Sequence, residues 1–530
     1  MAMRIVVAAG LMTLGALAPV GESGRRPQVA VEGGTVEGVR LAVLPDGGGF
    51  LGIPFAAQPV GPLRWRETQA APAWQGIRDG SKFGPACPQR PSLWLPEMLG
   101  VRAMATDEAC LYLNVWTPDL HPRRKQPVFV WVHGGGNVEG SGEWPPLGET
   151  LAQHGVVVVT INYRLGVFGF LASPWASAES QAYVSGNYGH LDQIEALRWV
   201  RRNIARFGGD PQVVTIGGES SGALDVCNLM ASPLAADLFQ RALMQSGVCV
   251  DSVYPGLHAA EASGEKLAKD LGVAGSAPLQ ALRGITAEKI LAAAAADDAI
   301  DLEPNVDGWV LPEQPAVTFA RGGETRVPVL VGSNEDEISI FASPIVGGRS
   351  YRPKTVAEYR AWLERKFGTN ADAVFAAYPV HSDAEVGQVF VTMDTDFDFG
   401  FGAWLVAKDT TRVGWDAFLY HFTYVGKGAF AGLGAFHSEE NMFLSQRYWT
   451  SWVADPEDAA MSRTLIGYWV QFVKTGSPNV AGLPAWPAYV GDDGECQELG
   501  RRVGPERVPR VRRWAIFQTY LTGRLQKSVN

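Results

Sequence analysis

The chain has 530 residues, with 45 Lys and Arg against 55 Asp and Glu, a formal net charge of −10. That balance argues against nucleic acid, which selects basic stripes, and against a polybasic membrane-surface protein. Hydrophobic residues make up 46% and charged residues 19%, which excludes a disordered chain, and five cysteines are too few for a disulfide scaffold.

At the N-terminus, Arg4 is followed by an apolar run from Ile5 to about Ala18. The run is shorter than the ~20 residues that cross a bilayer and reads as an export signal. Ala16-Leu17-Ala18 fits small-x-small cleavage, although Pro19 would then begin the mature chain; the alternative is a short apolar helix that stays in place. Residues 1–26 are therefore assigned to a leader and 27–530 to a single domain, since no repeat or low-complexity linker divides the rest. No later stretch is apolar enough to span a membrane.

Short apolar runs follow at 128–133, 156–162, 213–217, 241–246, 327–332 and 417–422. They lack the polar alternation of a half-exposed strand, as expected of strands covered on both faces of a parallel sheet. Residues 191–207 read as a helix, with Leu191, Ile194, Leu197, Val200 and Ile204 on one face. Gly208-Gly209-Asp210-Pro211 stops it. Strand, helix and strand in this order imply βαβ units and a doubly wound sheet. The stretches 258–300 and 355–412 read as helical insertions packed over that sheet.

Two segments carry chemistry. His133-Gly134-Gly135-Gly136 directly follows a strand, and three glycines let backbone N–H groups approach a substrate oxygen without side chains in the way. Fixed donors at a developing oxyanion are worth ~2.7–4 kcal/mol each; a simple tight turn is the plainer alternative. Gly218-Glu219-Ser220-Ser221-Gly222 is a G-x-S-x-G sequence between an apolar strand and a helical pattern. A serine at a sharp strand-to-helix turn needs glycine two residues before and after it, because side chains there would collide.

With these motifs in hand, the chain resembles the type-B carboxylesterases, the family of cholinesterases and bacterial p-nitrobenzyl esterases. The resemblance covers roughly residues 28–520. Besides the two segments above it rests on 50–56, 59–65, 110–115, Asn162-Tyr163-Arg164-Leu165-Gly166, Leu191-Asp192-Gln193 and 469–479. It implies the α/β-hydrolase fold: a mostly parallel central sheet, helices on both faces and helical insertions over the active site. It also implies an esterase that acts through an acyl-enzyme on a small-molecule ester and needs no cofactor or metal.

Carried over position by position, the nucleophile is Ser220, and the base is His437 in Gly434-Ala435-Phe436-His437-Ser438-Glu439-Glu440. The acid is Glu337; Ile338 stands where the family has glycine, which leaves Glu335 and Asp336 open in register. The oxyanion donors are Gly135, Gly136 and Ser221. Glu219 is either an electrostatic support or a structural carboxylate, and Ser246 resembles a serine near the acid. Cys87 and Cys110 match the family's first disulfide, in keeping with export to the periplasm or medium. Cys227 reads as a buried thiol, with Cys249 and Cys496 unassigned and a bridge between those two left open. The family's ion pairs map onto Arg64 with Glu108 and Arg164 with Asp192. Asn137 replaces the usual aromatic, which predicts a changed, more polar wall beside the oxyanion hole, and Trp94 is a candidate pocket wall. The alternatives are the same machinery on a carbamate, an amide or a specialised natural-product ester, and a non-catalytic binding protein of cholinesterase type. Sequence leaves the natural substrate and the oligomeric state open.

Overall fold

The computed structural model describes residues 25–90, 104–343, 352–446 and 455–528, apart from positions 274, 276, 298 and 429. Trp94 and nearly all of the predicted leader lie outside the described residues.

Eleven strands form the main sheet. In chain order they are β1 (Val39–Leu41), β2 (Leu44–Pro54), β3 (Tyr112–Thr117), β4 (Gln126–Val132), β5 (Val157–Ile161) and β6 (Gly209–Glu219). Then come β7 (Arg241–Gln245), β8 (Val329–Asn334), β9 (Ala417–Phe422), β10 (Glu495–Leu499) and β11 (Val503–Arg507). Their spatial order is β11-β10-β9-β8-β7-β6-β4-β5-β3-β2-β1. Every pairing from β5 across to β10 is parallel, and the flanking pairs are antiparallel. With helices on both faces this is the α/β-hydrolase fold. A small second sheet joins Gln28–Val31, Gly34–Glu37 and Ile77–Asp79.

The apolar runs form the parallel core because each buries both faces. Along β4, Val128, Val130 and Val132 enter one core with Leu197 and Val200, while Phe129 and Trp131 enter the other with Trp469 and Phe472. The helix Tyr188–Asn203 continues as a 3-10 turn to Phe207, and Gly208, at φ 82°, ends it in the left-handed region. The helices Val356–Phe367, Asp383–Thr395 and Phe401–Arg412 send Tyr359, Leu363, Phe390 and Phe401 into the first core. The insertion that includes Leu257–Asp270 packs instead through Leu267, Leu279, Leu282 and Ile290 against Trp65 and Phe168.

Two disulfides are present, Cys87–Cys110 and Cys227–Cys249, and Cys496 is a buried free thiol. The reading of Cys227 as a thiol is therefore corrected, and the bridge left open between Cys249 and Cys496 does not form. The helix Ser221–Ala231 lies against the loop after β7, a proximity that sequence distance hides. Arg64 holds Glu108 through both carboxylate oxygens, at 2.6 and 2.5 Å, and Arg164 holds Asp192 the same way, at 2.8 Å each. Among the described residues no helix is long and apolar enough to cross a membrane.

The topology fixes where a ligand can sit. The chain runs from β4 to β5 and then crosses back to β6 on the other side of β4. That reversal opens a crevice at the carboxyl ends of β4 and β6, where open α/β sheets bind ligands. The glycine run leaves β4 there, and the G-x-S-x-G turn leaves β6.

Candidate active site

Ser220 has φ 57° and ψ −130°, a region that costs a side chain strain. It lies between β6 and the helix Ser221–Ala231. The flanking glycines are required by close approach. A Cβ on Gly218 would lie 2.4 Å from the Gly222 carbonyl carbon, and one on Gly222 would lie 2.2 Å from Val132 O at the end of β4. The second clash comes from the neighbouring strand rather than from within the turn. Gly247, after β7, is equally confined, at 2.2 Å from Ser220 O.

The glycine run folds over this turn. A Cβ on Gly134 would lie 3.0 Å from Ser220 Cβ. Gly135 and Gly136 have φ of 109° and 64°, conformations that favour glycine. Among the described residues, none accepts a hydrogen bond from the N–H of Gly135, Gly136 or Ser221. Asn137 N, the next donor, is already committed to Ser221 Oγ at 3.0 Å.

Asn137 does not form the wall that the sequence suggested. Its side chain turns inward, 5% exposed, and donates to Asp225 Oδ1 at 3.0 Å. The Tyr163 hydroxyl lies 2.8 Å from His133 O and 3.0 Å from Asn137 Oδ1. Asp225 also holds His190 Nε2 at 3.0 Å and Gln193 Nε2 at 2.6 Å. With φ 58° at Asn137, the backbone points this residue down into the network and leaves Val138 exposed above. His133 is stacked on Tyr163, and burial pushes its imidazole down to about 4.

The three consecutive acids after β8 go three ways, and Glu337 is the one that meets His437. Glu335 faces His421 and Arg510. Asp336 Oδ2 accepts from Ala435 N at 3.1 Å. Glu337, fully buried, lies 2.6 Å from His437 Nδ1 through Oε2 and accepts Asn334 N at 2.8 Å through Oε1.

The other imidazole nitrogen, His437 Nε2, lies 3.1 Å from Glu219 Oε1, and Ser438 Oγ donates to the same oxygen. Among the described residues Ser220 Oγ has no hydrogen-bond partner, so the structure joins His437 to Glu337 but not to Ser220. Burial opposes charge on His437, yet the Glu219 and Glu337 carboxylates outweigh it and raise the imidazole to about 9. Burial raises the Glu219 carboxyl above its ordinary value, against the pull of His437. Phe341 and Phe399 cover the ring, each with its centroid at 5.1 Å.

Behind His437, Glu440 accepts from Gln245 Nε2 at 2.8 Å and Asn334 Nδ2 at 2.7 Å. Asn441 Oδ1 also accepts from Gln245 Nε2, at 3.1 Å. Ser246 is fully buried below the turn, with N donating to Gly332 O at 2.9 Å. Sequence reasoning passed over Asp225, Ser438, Phe341 and Phe399. Ser438 follows His437 directly, Phe341 lies four residues after Glu337 and Asp225 five after Ser220, whereas Phe399 reaches the His437 ring from a separate helical insertion. Among the described residues no group of His, Cys, Asp or Glu could hold a metal ion.

Residues 25–512 match the sequence profile described as the Carboxylesterase family. The fumonisin B1 esterase of Sphingopyxis macrogoltabida is 38% identical over 483 residues, covering 89% of this chain and 86% of that protein. The Geobacillus stearothermophilus carboxylesterase EST55 superposes with a TM-score of 0.80 at 32% identity, over 93% of this chain and all of that one. A PNB esterase structure gives 0.78 at 31%, with the same coverage.

Proposed function

This chain belongs to the carboxylesterase family and is a carboxylic ester hydrolase; on that premise we propose that it works through Ser220, His437 and Glu337 with an oxyanion hole of backbone amides. The observation that carries the proposal is the meeting, at one crevice, of a strained Ser220, the His437–Glu337 pair and three amides without an acceptor.

In this reading His437 Nε2 leaves Glu219, takes the Ser220 proton as general base, and Ser220 Oγ attacks the ester carbonyl. Glu219 and Ser220 are adjacent in the chain, so the imidazole has a short way to go. Catalytic hydrogen bonds that are absent without substrate often form only in the complex. Glu337 fixes the tautomer at Nδ1 and stabilises the imidazolium. The amides of Gly135, Gly136 and Ser221 take up the charge on the tetrahedral oxygen, and the N-terminus of the helix Ser221–Ala231 favours it further. His437 then protonates the leaving alcohol. Water repeats the cycle and frees the acid.

We read residues 1–26 as an export leader and 27–530 as one domain. Two disulfides favour an oxidising compartment, the periplasm or the medium. The substrate is a small-molecule ester. The test is a panel of nitrophenyl esters of varied acyl length together with fumonisin B1, on which a relative is named to act. Ser220→Ala is the control. Abolished turnover and lost labelling by a fluorophosphonate are expected in the variant; retained turnover would overturn the assignment.

A further inference from the structure

We propose that Arg510, in the segment after the last strand, is a positioning residue for the His437–Glu337 pair. The proposal rests on the reading of that pair given above. Its guanidinium holds two carboxylates at once. Nη1 and Nη2 donate to Glu335 Oε1 and Oε2, both at 2.9 Å, and Nε donates to Asp396 Oδ1 and Oδ2 at 3.0 and 2.9 Å.

Those carboxylates belong to two segments that meet at the site. Glu335 stands two residues before Glu337. Its turn is tied by Glu335 N to Phe422 O and by Asp336 N to Ala435 O, each at 2.9 Å, the second only two residues from His437. Asp396 opens the π-helical turn Asp396–Gly400, which carries Phe399 onto the His437 ring. A π-turn is rare and tends to occur where a side chain must be aimed. One guanidinium therefore couples the segment that presents the acid to the segment that packs on the base.

The surroundings make this coupling stiff. Tyr378 donates to Asp396 Oδ2 at 2.8 Å, and His421 Nε2 lies 2.6 Å from Glu335 Oε2. The Asp396 side chain is 2% exposed and that of Arg510 20%. Arg510 has φ 58°, a strained backbone that turns its side chain inward. Only a planar fork serves two carboxylates in this way; lysine offers a point charge. Among the described residues every side-chain hydrogen bond of Arg510 goes to Glu335 or Asp396, so its effect on the reaction passes through Glu337 and His437.

The test compares Arg510→Lys and Arg510→Ala with wild type on a short-chain nitrophenyl ester. Arg64→Lys, which breaks the bidentate pair with Glu108, serves as the structural control. Active sites are counted by fluorophosphonate labelling. Misplacing reacting groups by about 1 Å costs about 10²-fold. Arg510→Lys is accordingly expected to lower kcat about 10- to 100-fold per labelled site, with KM within about twofold. Arg64→Lys should lower the melting temperature and leave kcat within about twofold. Millimolar guanidinium should restore Arg510→Ala about tenfold.

Wild-type kcat in Arg510→Lys, an equal loss in Arg64→Lys, or no response to guanidinium would overturn the proposal. If Arg510→Ala does not fold, Glu335→Gln and Asp396→Asn replace it, and wild-type kcat in both would overturn it as well. Failure of the site reading is distinguishable, because it would show as activity retained by Ser220→Ala with Arg510 intact.

Discussion

Two histidines of this chain each lie between two glutamates, and both imidazoles are raised to about 9 against the burial that opposes their charge. His421 lies 2.6 Å from Glu335 and 2.9 Å from Glu506, beside Arg510. His437 lies 2.6 Å from Glu337 and 3.1 Å from Glu219. The difference is in what borders them. His421 sits on β9 inside a saturated ion-pair network. His437 sits in a loop at the switch point, and its partner Glu219 is the residue before the strained Ser220. A perturbed imidazole therefore marks an ion pair; the strained serine and the amides without an acceptor among the described residues mark the place where the proposed reaction would occur.

The sharpest way to break this comparison is to remove each ring in turn. If His437 is the proposed base, His437→Gln should lower kcat about 10⁴-fold. His421→Gln should stay within about tenfold, because Arg510 still holds both oxygens of Glu335. Comparable losses in the two variants, measured on folded protein, would erase the distinction.

The second effect is on stability and has a definite sign. His421 is raised from 6.5 to about 9 in the folded state. Its contribution is present in full below pH ~6.5 and is lost as pH rises through ~9. Burial alone would raise Glu335, but its hydrogen bonds to His421 and Arg510 bring it down to about 2, so it stays ionised across that window. Urea unfolding of wild type and His421→Gln should therefore differ by about 3 kcal/mol more at pH 6 than at pH 10. A difference independent of pH would mean that folding leaves the His421 titration where it lies in the unfolded chain.

Much of this architecture was legible in the sequence, for reasons that can be named. Six of the seven parallel strands announce themselves because burial on both faces makes them continuous apolar runs, as in Val157–Ile161, where every residue is buried. Ser220, His437 and the glycine run stand in local motifs. The antiparallel flank was not legible: β2 begins Leu44-Pro45-Asp46-Gly47-Gly48-Gly49, which reads as a turn and becomes a strand by pairing with β1 and β3. The inward turn of Asn137 was hidden too, since it depends on a positive φ and on Asp225, 88 positions away. The Cys227–Cys249 bridge depends on how a helix packs against a later loop. The hidden features share one property: each is a long-range contact that leaves no local pattern.

The finest distinction between the two histidines is the partner that each can release. Both partners of His421 are bound in a network, whereas Glu219 must let go of His437 Nε2 for the proposed base to reach Ser220. A base must be neutral to accept a proton, so kcat/KM should rise with pH through the imidazole's folded value of about 9. Glu219→Gln removes a negative charge beside the ring while keeping a side chain of the same shape. An opposite charge at this range shifts a titration by about one to three units. The acid limb of the profile should therefore move to lower pH by about one unit or more, and the plateau should drop as well, because the imidazolium formed during attack loses a stabilising neighbour. At low pH, where the raised Glu219 carboxyl is itself protonated, the two enzymes should converge. A limb that stays in place would mean that Glu219 is uncharged in the resting enzyme, and that Glu337 alone sets the imidazole.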